Sequence, residues 1–513
     1  MILRFDRAIG VGSALGGDFF GWEFVLYGGF LSALIATAFA ASFFWLYAGA
    51  ITELAARYRS SGGSFDYVRA ALGNRAGALM ATLGLLKLLL ANSAIALAIS
   101  SYLIQGGMPS SLQPLCWILT YGTFTLLDCI GVRQSSNIQI LATVLCIFIL
   151  VFYSASSLQK FSIGRIKTSG LMNDGIIGFF KGFPFALQFF DGFEEVPLLM
   201  GYASDPEKNI PQAIISCYVT IAAIAVMILI SGSGITPFST LIDSEAPLMD
   251  GIDAVYGQSS FISDAVANLI VVGLLVNFFA FVVFSSQQMQ AVASAGQLPA
   301  FLAYRDAATG APITASICSS TIGLVLTAGF ALVFGESAAQ DTLVTAALMP
   351  AILGYALLLQ CIIRTRSVEE RILNGHTEER DEVTLGRDPG PLRFYWGVPG
   401  ARLAQLMCLI FVISLFVLAY VSRSFRWGLA VLGLILAILL VGNMKGLSKK
   451  GPRNPRAANY GAAGNGDGSG EDEDEDRAAL LPNTDVSADT YFSDFSSRRS
   501  QYNTIADLKS AML

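Results

Sequence analysis

Long apolar runs separated by short polar loops fill most of this chain. A run must be about 20 residues long to cross a hydrocarbon core of about 30 Å as a helix. The apolar windows of roughly that length number twelve: 7–27, 29–54, 77–104, 114–131, 136–156, 176–201, 211–234, 265–293, 312–334, 341–363, 403–421 and 427–442. The pattern predicts an all-α polytopic membrane protein with about twelve transmembrane helices within residues 1–445.

Two of these windows are interrupted by glycine, proline and acidic residues. The stretch 10–28 is rich in glycine and contains Asp18 and Glu23, and the stretch 178–195 contains Pro184 and three carboxylates. Backbone without helical hydrogen bonds is tolerated at membrane depth where it lines a cavity or is buried in protein. Acidic side chains at that depth usually mark a substrate or ion path. The two stretches therefore predict a binding site, although glycines also allow close helix packing.

The interrupted windows are the first and the sixth. Broken helices at matching positions of two halves are typical of transporters built from inverted repeats, with the site at the bilayer midplane. This spacing predicts a five-plus-five helix core with repeats at about 7–156 and 176–363, and accessory helices at about 403–442.

Composition agrees with a membrane protein. Hydrophobic residues make up 54% of the chain and charged residues 14%, and the net charge of −6 owes much to the acidic run 471–476. Residues 446–513 contain no apolar run that could form a core, so they are predicted to be a disordered tail. The chain shows no nucleotide-binding or nucleic-acid-binding motif. His376 is the single histidine and the cysteines lack metal-ligand spacing, so we expect no metal, cofactor or catalytic triad.

Lysine and arginine in short loops predict the orientation. They concentrate in loops 2–3 and 10–11 and after segment 12, whereas loop 7–8 is acidic. Loop 5–6 is the one exception. This distribution places both termini in the cytoplasm.

Five stretches carry a family resemblance. They are Gly17–Glu23, Glu53–Val68, Phe189–Glu194, Asp205–Pro211 and Ala293–Pro299. Together they resemble the amino acid/polyamine/organocation (APC) superfamily of transporters, and the Phe-Phe-Gly-Trp run is most similar to the ethanolamine permease branch. The resemblance implies alternating access and a substrate held between segments 1, 3, 6, 8 and 10.

The resemblance also implies roles for single residues. Gly21, Trp22 and Glu23 would form the unwound substrate loop of segment 1, and Glu194 matches an acidic position that the superfamily uses in proton coupling. The full set of expected substrate-binding residues is Asp18, Gly21, Trp22, Glu23, Lys87, Gln188, Phe189, Phe190 and Asp191.

Lys87 lies well inside segment 3, with long apolar stretches on either side. A buried ammonium normally pairs with an acid or loses its proton. We therefore predict an ion pair with Glu23 or Asp18. The alternative is a lysine that extends to the membrane interface.

These observations predict a secondary active transporter of a small amine or amino acid, with proton symport favoured over sodium. If Lys87 does not neutralise Glu23, the surrounding carboxylates suit a cation such as ethanolamine; if it does, a zwitterionic amino acid fits. A nutrient receptor that signals through its tail is the alternative. A membrane-embedded enzyme is disfavoured, because no nucleophile–base pair or metal cluster is present.

The tail contains two short patterns typical of sorting signals. Asp476, Leu480 and Leu481 match an acidic dileucine signal, and Tyr502–Ile505 matches a tyrosine-based one. They predict contact with a clathrin adaptor and a location in the plasma membrane or an endosomal, lysosomal or vacuolar membrane. A plain solvated linker is the alternative.

Overall fold

The structure, a computed structural model, describes residues 5–131, 136–203, 205–258, 260–374 and 386–421, with the single residues 426 and 433. The chain divides into two compact units, one of residues 1–368 with 379–452 and one of residues 369–378 with 453–513. The site described below belongs to the first unit. Of the predicted segment 427–442 the structure describes residue 433 alone, and the tail motifs at Asp476, Leu480 and Leu481 lie outside the described residues.

The described part of the chain consists of helices and turns, without a β-strand. Its α-helices, in chain order, are α1 (Phe5–Ala14), α2 (Gly16–Phe19), α3 (Phe30–Tyr58), α4 (Gly63–Leu72), α5 (Asn74–Gln105), α6 (Gln113–Ile130), α7 (Ser136–Ser157), α8 (Ile163–Ser169), α9 (Gly175–Gly182), α10 (Pro206–Ser233), α11 (Phe238–Ile242), α12 (Pro247–Tyr256), α13 (Phe261–Ser294), α14 (Ile313–Phe334), α15 (Glu336–Leu373) and α16 (Gly397–Val421). The 3₁₀ helices are Trp22–Gly28, Ser110–Leu112, Phe183–Phe190, Phe193–Tyr202, Ala300–Ala303 and Gly390–Leu392.

Eight of the described helices are long and apolar enough to cross a bilayer: α3, α5, α7, α10, α13, α14, α15 and α16. Each coincides with a predicted window. The largest difference in bounds is at α15, which runs from Glu336 to Leu373 although the window covers 341–363. The helix is longer because apolarity marks only the part that lipid or protein covers, whereas polar residues continue the helix beyond it.

The long helices differ in how much lipid they would meet. In α5, 89% of the most apolar window is buried inside the protein, and in α14 only 22% is buried. The outer face of α14 carries exposed Leu332 and Val333, and α7 exposes Leu141. A helix that is apolar all round and buried all round belongs to the centre of a bundle. α5 is therefore a central helix, and α7 and α14 lie at the periphery.

The first and sixth windows are built from short pieces. Window 7–27 contains α1, α2 and the 3₁₀ helix Trp22–Gly28, and window 176–201 contains α9 and two 3₁₀ helices. Pro184 is the second residue of the first of these 3₁₀ helices and Pro197 lies inside the second, and neither can donate a backbone hydrogen bond. The 7–8 loop, which the sequence describes only as acidic, contains α11 and α12.

Candidate substrate site

The chain of segment 1 leaves the helical path after α2. Phe20 is extended and Gly21 has φ +87°, a left-handed conformation that favours glycine. The carbonyl oxygen of Phe19, at the end of α2, accepts a hydrogen bond of 2.7 Å from the Tyr102 hydroxyl of α5. A side chain from another helix thus satisfies part of the backbone at this interruption.

Segment 6 changes direction at Asp191 and Gly192. Gly192 has φ +112° and links the two 3₁₀ helices of this segment. Its amide donates a 2.8 Å hydrogen bond to Oε2 of Glu194. The turn therefore fixes the Glu194 carboxylate directly beside the irregular backbone.

The two irregular segments touch each other. A Cβ added to Gly17 would collide with the carbonyl oxygen of Gln188, and one added to Gly192 would come within 3.0 Å of the Ser13 carbonyl oxygen. Asn277 of α13 holds the first segment from the other side, because its Nδ2 donates a hydrogen bond to the Ser13 carbonyl. Close backbone approach is possible here because glycine carries no side chain.

A small cavity of about 30 Å³ lies beside this contact. A water molecule needs about 10–15 Å³ of such space, so the cavity has room for roughly two waters and an amino acid requires it to open further. The cavity is bounded by segments 1 and 6 and by α5, α13 and α15, and many of its lining residues are small. They are Ser13, Gly16, Gly17, Phe20, Ala91, Ala94, Ile95, Gln188, Asp191, Asn277, Phe281, Val344 and Ala347.

A buried charge cluster adjoins the cavity through Asp191. Nζ of Lys87 lies 2.9 Å from Asp191, 2.5 Å from Glu194 and 2.9 Å from Glu195. The Tyr355 hydroxyl of α15 donates a 2.6 Å hydrogen bond to Oε1 of Glu194. Carboxylates buried to this degree need charged or hydrogen-bonding partners, and the cluster supplies both kinds.

The sequence profile of a family described as Amino acid permease matches residues 2–443, most of the chain. The chain belongs to this family. The match supports the APC superfamily resemblance, while the ethanolamine permease branch remains a prediction. Permeases are integral membrane proteins. The eight long apolar helices among the described residues agree with membership of such a family.

Individual relatives are distant from this permease. It is 25% identical over 265 residues to cationic amino acid transporter 7, chloroplastic, of Arabidopsis thaliana, covering 47% of this chain and 45% of that one. It is 24% identical over 355 residues to uncharacterized transporter lpg1691 of Legionella pneumophila, covering 66% and 75%. The permease thus aligns with less than half of the length of the plant transporter.

A solved structure shares the fold. The crystal structure of MhsT in complex with L-phenylalanine has a TM-score of 0.52 to this permease at 15% sequence identity. The similarity covers 80% of this chain and 98% of that one. At this identity the likeness concerns the fold alone.

The predicted partner of Lys87 is wrong. Lys87 pairs with Asp191, Glu194 and Glu195 of segment 6, and not with Glu23 or Asp18. The reason is that residues 191–195 bring three carboxylates together at the turn of segment 6, where they meet the side of α5 that carries Lys87.

Asp18 and Glu23 are both buried away from the cavity. The Asp18 carboxylate has no hydrogen-bond partner among the described residues. Backbone groups of Gly21 and Glu23 interact with the Glu23 carboxylate, but neither of its oxygens has a hydrogen bond of good geometry among the described residues. Neither acid faces the space that a substrate would enter in this state.

The other predicted substrate-binding residues divide into two groups. Gln188 and Asp191 line the cavity, and Gly21 lies close to the Gln188 side chain, 3.8 Å from an added Cβ.

The second group packs away from the cavity. Trp22 packs against Gly232 of α10. Phe190 stacks on Phe44 and Tyr218, and buried Phe189 does not line the cavity.

Several residues of the site were not predicted from the sequence. Ser13 and Gly16 lie in the glycine-rich stretch 10–28 but were not singled out within it, and Ala347 and Tyr355 lie in the apolar window 341–363. A polar hydroxyl such as that of Tyr355 in the middle of a membrane window needs a buried partner, which is the signal that could have identified it.

Proposed function

We propose that this permease is a secondary active transporter that carries a small amino acid or amine by alternating access and couples its transport to protons. The observation that carries the proposal is the small cavity between segments 1 and 6 and helices α5, α13 and α15, with Asp191 among its lining residues. Sites for small solutes are commonly cavities of apolar and small side chains with a few polar groups that fix orientation.

The proposed architecture is a five-plus-five inverted repeat. Repeats at about 7–156 and 176–363 would place the irregular parts of segments 1 and 6 opposite each other, and their contact at Gly17 and Gly192 supports that arrangement. We propose twelve transmembrane segments in all, cytoplasmic termini, and a substrate region that includes the predicted residues of both segments.

The proposed substrate carries an ammonium group. Asp191 is the carboxylate among the cavity-lining residues, and its side chain is 21% exposed. The cationic amino acid transporter among the relatives supports an amino acid, while the resemblance to ethanolamine permeases supports an amine. Free backbone groups at the ends of α2 and of the 3₁₀ helices could hold the second polar group of either substrate.

Proton coupling is proposed for the buried cluster. Among the described residues, the ammonium of Lys87 is shared by three carboxylates, those of Asp191, Glu194 and Glu195. Taking several charges out of water without full compensation is costly. Uptake of a proton or of a cationic substrate would reduce that cost, which provides a physical basis for coupling the two events.

Substrate flux in reconstituted vesicles tests this function. Radiolabelled ethanolamine, glycine, lysine and phenylalanine would be offered with and without an inward proton gradient. We expect saturable uptake of at least one of them that the gradient increases. Binding without flux would instead indicate the receptor function. The absence of both binding and flux for all four ligands would contradict the proposal.

Glu194 is the proposed proton-coupling residue. Glu194→Gln should abolish accumulation driven by a pH gradient and spare substrate counterflow, because an amide cannot exchange a proton and counterflow does not require it. Exposed Glu245→Gln is the matched control and should keep both activities. Unchanged pH-driven accumulation in the Glu194 variant would rule out this role.

A further inference from the structure

The three carboxylates around Lys87 are not held equally. Glu194 accepts hydrogen bonds from Lys87, from the Tyr355 hydroxyl and from the Gly192 amide. Glu195 accepts a 2.9 Å hydrogen bond from Lys87. Asp191 lies at ion-pair distance from Lys87, yet its Oδ1 has no hydrogen bond of good geometry among the described residues.

Asp191 is also the carboxylate that opens toward the cavity. Its side chain is 21% exposed, against 3% for Glu194 and 12% for Glu195. The Lys87 side chain is 4% exposed, and the Asp191 oxygen that it approaches, Oδ1, is itself buried. Asp191 therefore stands between an internal ammonium and a cavity in which a ligand would lie.

We propose that Lys87 is a tethered competitor of the substrate: its ammonium neutralises Asp191 in the arrangement described above and yields that carboxylate to the ammonium group of an entering substrate. This inference rests on the proposed transport function and names the residues that set its specificity. Lys87 does not need Asp191 to remain paired, because Glu194 and Glu195 both accept its hydrogen bonds.

The exchange selects for ligands that carry N–H donors. A primary ammonium can replace the Lys87 ammonium at Asp191 because it has the same charge, a similar size and three donors. A quaternary ammonium has no N–H and a larger radius. The cavity, at about 30 Å³, must open to admit either kind of ligand, and three methyl groups would require it to open further.

Two pairs of ligands isolate this requirement. Ethanolamine and choline differ only in N-methylation, and so do glycine and trimethylglycine. Binding to purified full-length protein would be measured by equilibrium titration at fixed pH and salt. For each pair in which binding is detected, we expect the ligand with N–H groups to bind at least about tenfold more tightly than its methylated partner.

Two substitutions test the competition itself. Lys87→Met should tighten binding of the preferred amine by roughly tenfold, because the amine then meets no competing ammonium at Asp191. Asp191→Asn should weaken the same binding by at least about tenfold, with little change in melting temperature because Lys87 retains Glu194 and Glu195. Lys181→Met, which removes a half-buried lysine beside Tyr27, is the matched control and should leave affinity unchanged.

The outcomes separate this inference from the proposed function. If the wild type transports none of the ligands, the proposed function fails. If it transports an amine whose affinity is the same in the wild type and in both variants, or weaker in Lys87→Met, the competition is refuted while transport stands. If Lys87→Met does not fold, the double variant Lys87→Met with Glu195→Gln, which removes one charge of each sign, takes its place in the titration. Asp191→Asn then still tests whether the ligand binds that carboxylate.

Discussion

At the scale of single residues, Gly17 shows how a missing side chain positions the site. It lies on the cavity wall where segment 1 meets segment 6, and the obstacle to a larger residue is the backbone carbonyl of Gln188 and not a flexible side chain. Backbone cannot move aside by changing a rotamer. The close approach of the two segments, and with it the shape of the cavity, therefore depends on glycine at this position.

Gly17→Ala should separate the two segments and lower both stability and ligand binding. Overpacking a tight interior typically costs about 1–3 kcal/mol, and the displaced carbonyl lies beside the site. Thermal unfolding in detergent and amine titration would measure the two effects.

The matched control for Gly17 is Gly122, a glycine within α6 that has open space around its position. Gly122→Ala should stabilise the helix by about 0.5–1 kcal/mol because alanine loses less conformational entropy. Equal behaviour of the two variants would mean that the backbone contact at Gly17 has no special importance.

At the scale of elements, Glu53 joins three parts of the chain that are far apart in sequence. Its Oε1 accepts hydrogen bonds of 2.7 Å from Arg57 of the same helix, α3. Its Oε2 accepts 2.7 Å hydrogen bonds from Arg366 of α15 and from the backbone amide of Phe394. The carboxylate is fully buried, so it acts as the common acceptor that fixes α15 and the chain around Phe394 to the end of α3.

Glu53→Gln should destabilise the protein strongly. The amide removes the negative charge that neutralises Arg57 and Arg366 and replaces one acceptor oxygen with a donor, and breaking a buried ion pair in this way typically costs about 3–5 kcal/mol. The expected result is a marked fall in melting temperature and in the yield of monodisperse protein.

Asp174→Asn is the control for Glu53, because Asp174 is exposed and asparagine tolerates its left-handed conformation, φ +53°. This variant should melt like the wild type. If Glu53→Gln did so as well, the three elements would be held by packing alone.

At the scale of the whole molecule, the transport domain and the tail obey different rules. The domain is built from long apolar helices around a small polar site, whereas the tail is rich in small and acidic residues. The sequence predicts that the tail buries no core, and such a segment would be available to cytoplasmic partners. We therefore propose that the tail sets the choice of membrane and the domain the choice of substrate.

Replacing Leu480 and Leu481 together by alanine should move the protein from endosomal or vacuolar membranes to the cell surface. An adaptor that recognises the acidic dileucine would lose its apolar contact, and transport per molecule should not change. The matched control is Leu508→Ala with Leu513→Ala, which makes the same chemical change outside the motif. Surface labelling and microscopy would decide, and an identical distribution of all three proteins would leave the tail as a solvated extension.

The sequence by itself determined the long helices and the places where segments 1 and 6 are irregular. Each of these depends on local composition, because the bilayer acts as a solvent on every segment separately and glycine, proline and acid disturb a helix wherever they occur. Gln188 and Asp191, which line the cavity, could be predicted as candidates for that reason.

Only the tertiary structure decided which side chains meet. Lys87 was predicted to pair with Glu23 or Asp18, yet it lies against residues 191–195, and the cavity wall includes Ala347 of α15, which no local pattern identifies. Such pairings depend on the rotation and depth of one helix relative to another. These are set by packing between residues far apart in the chain, so a hydropathy pattern, which describes one segment at a time, does not contain them.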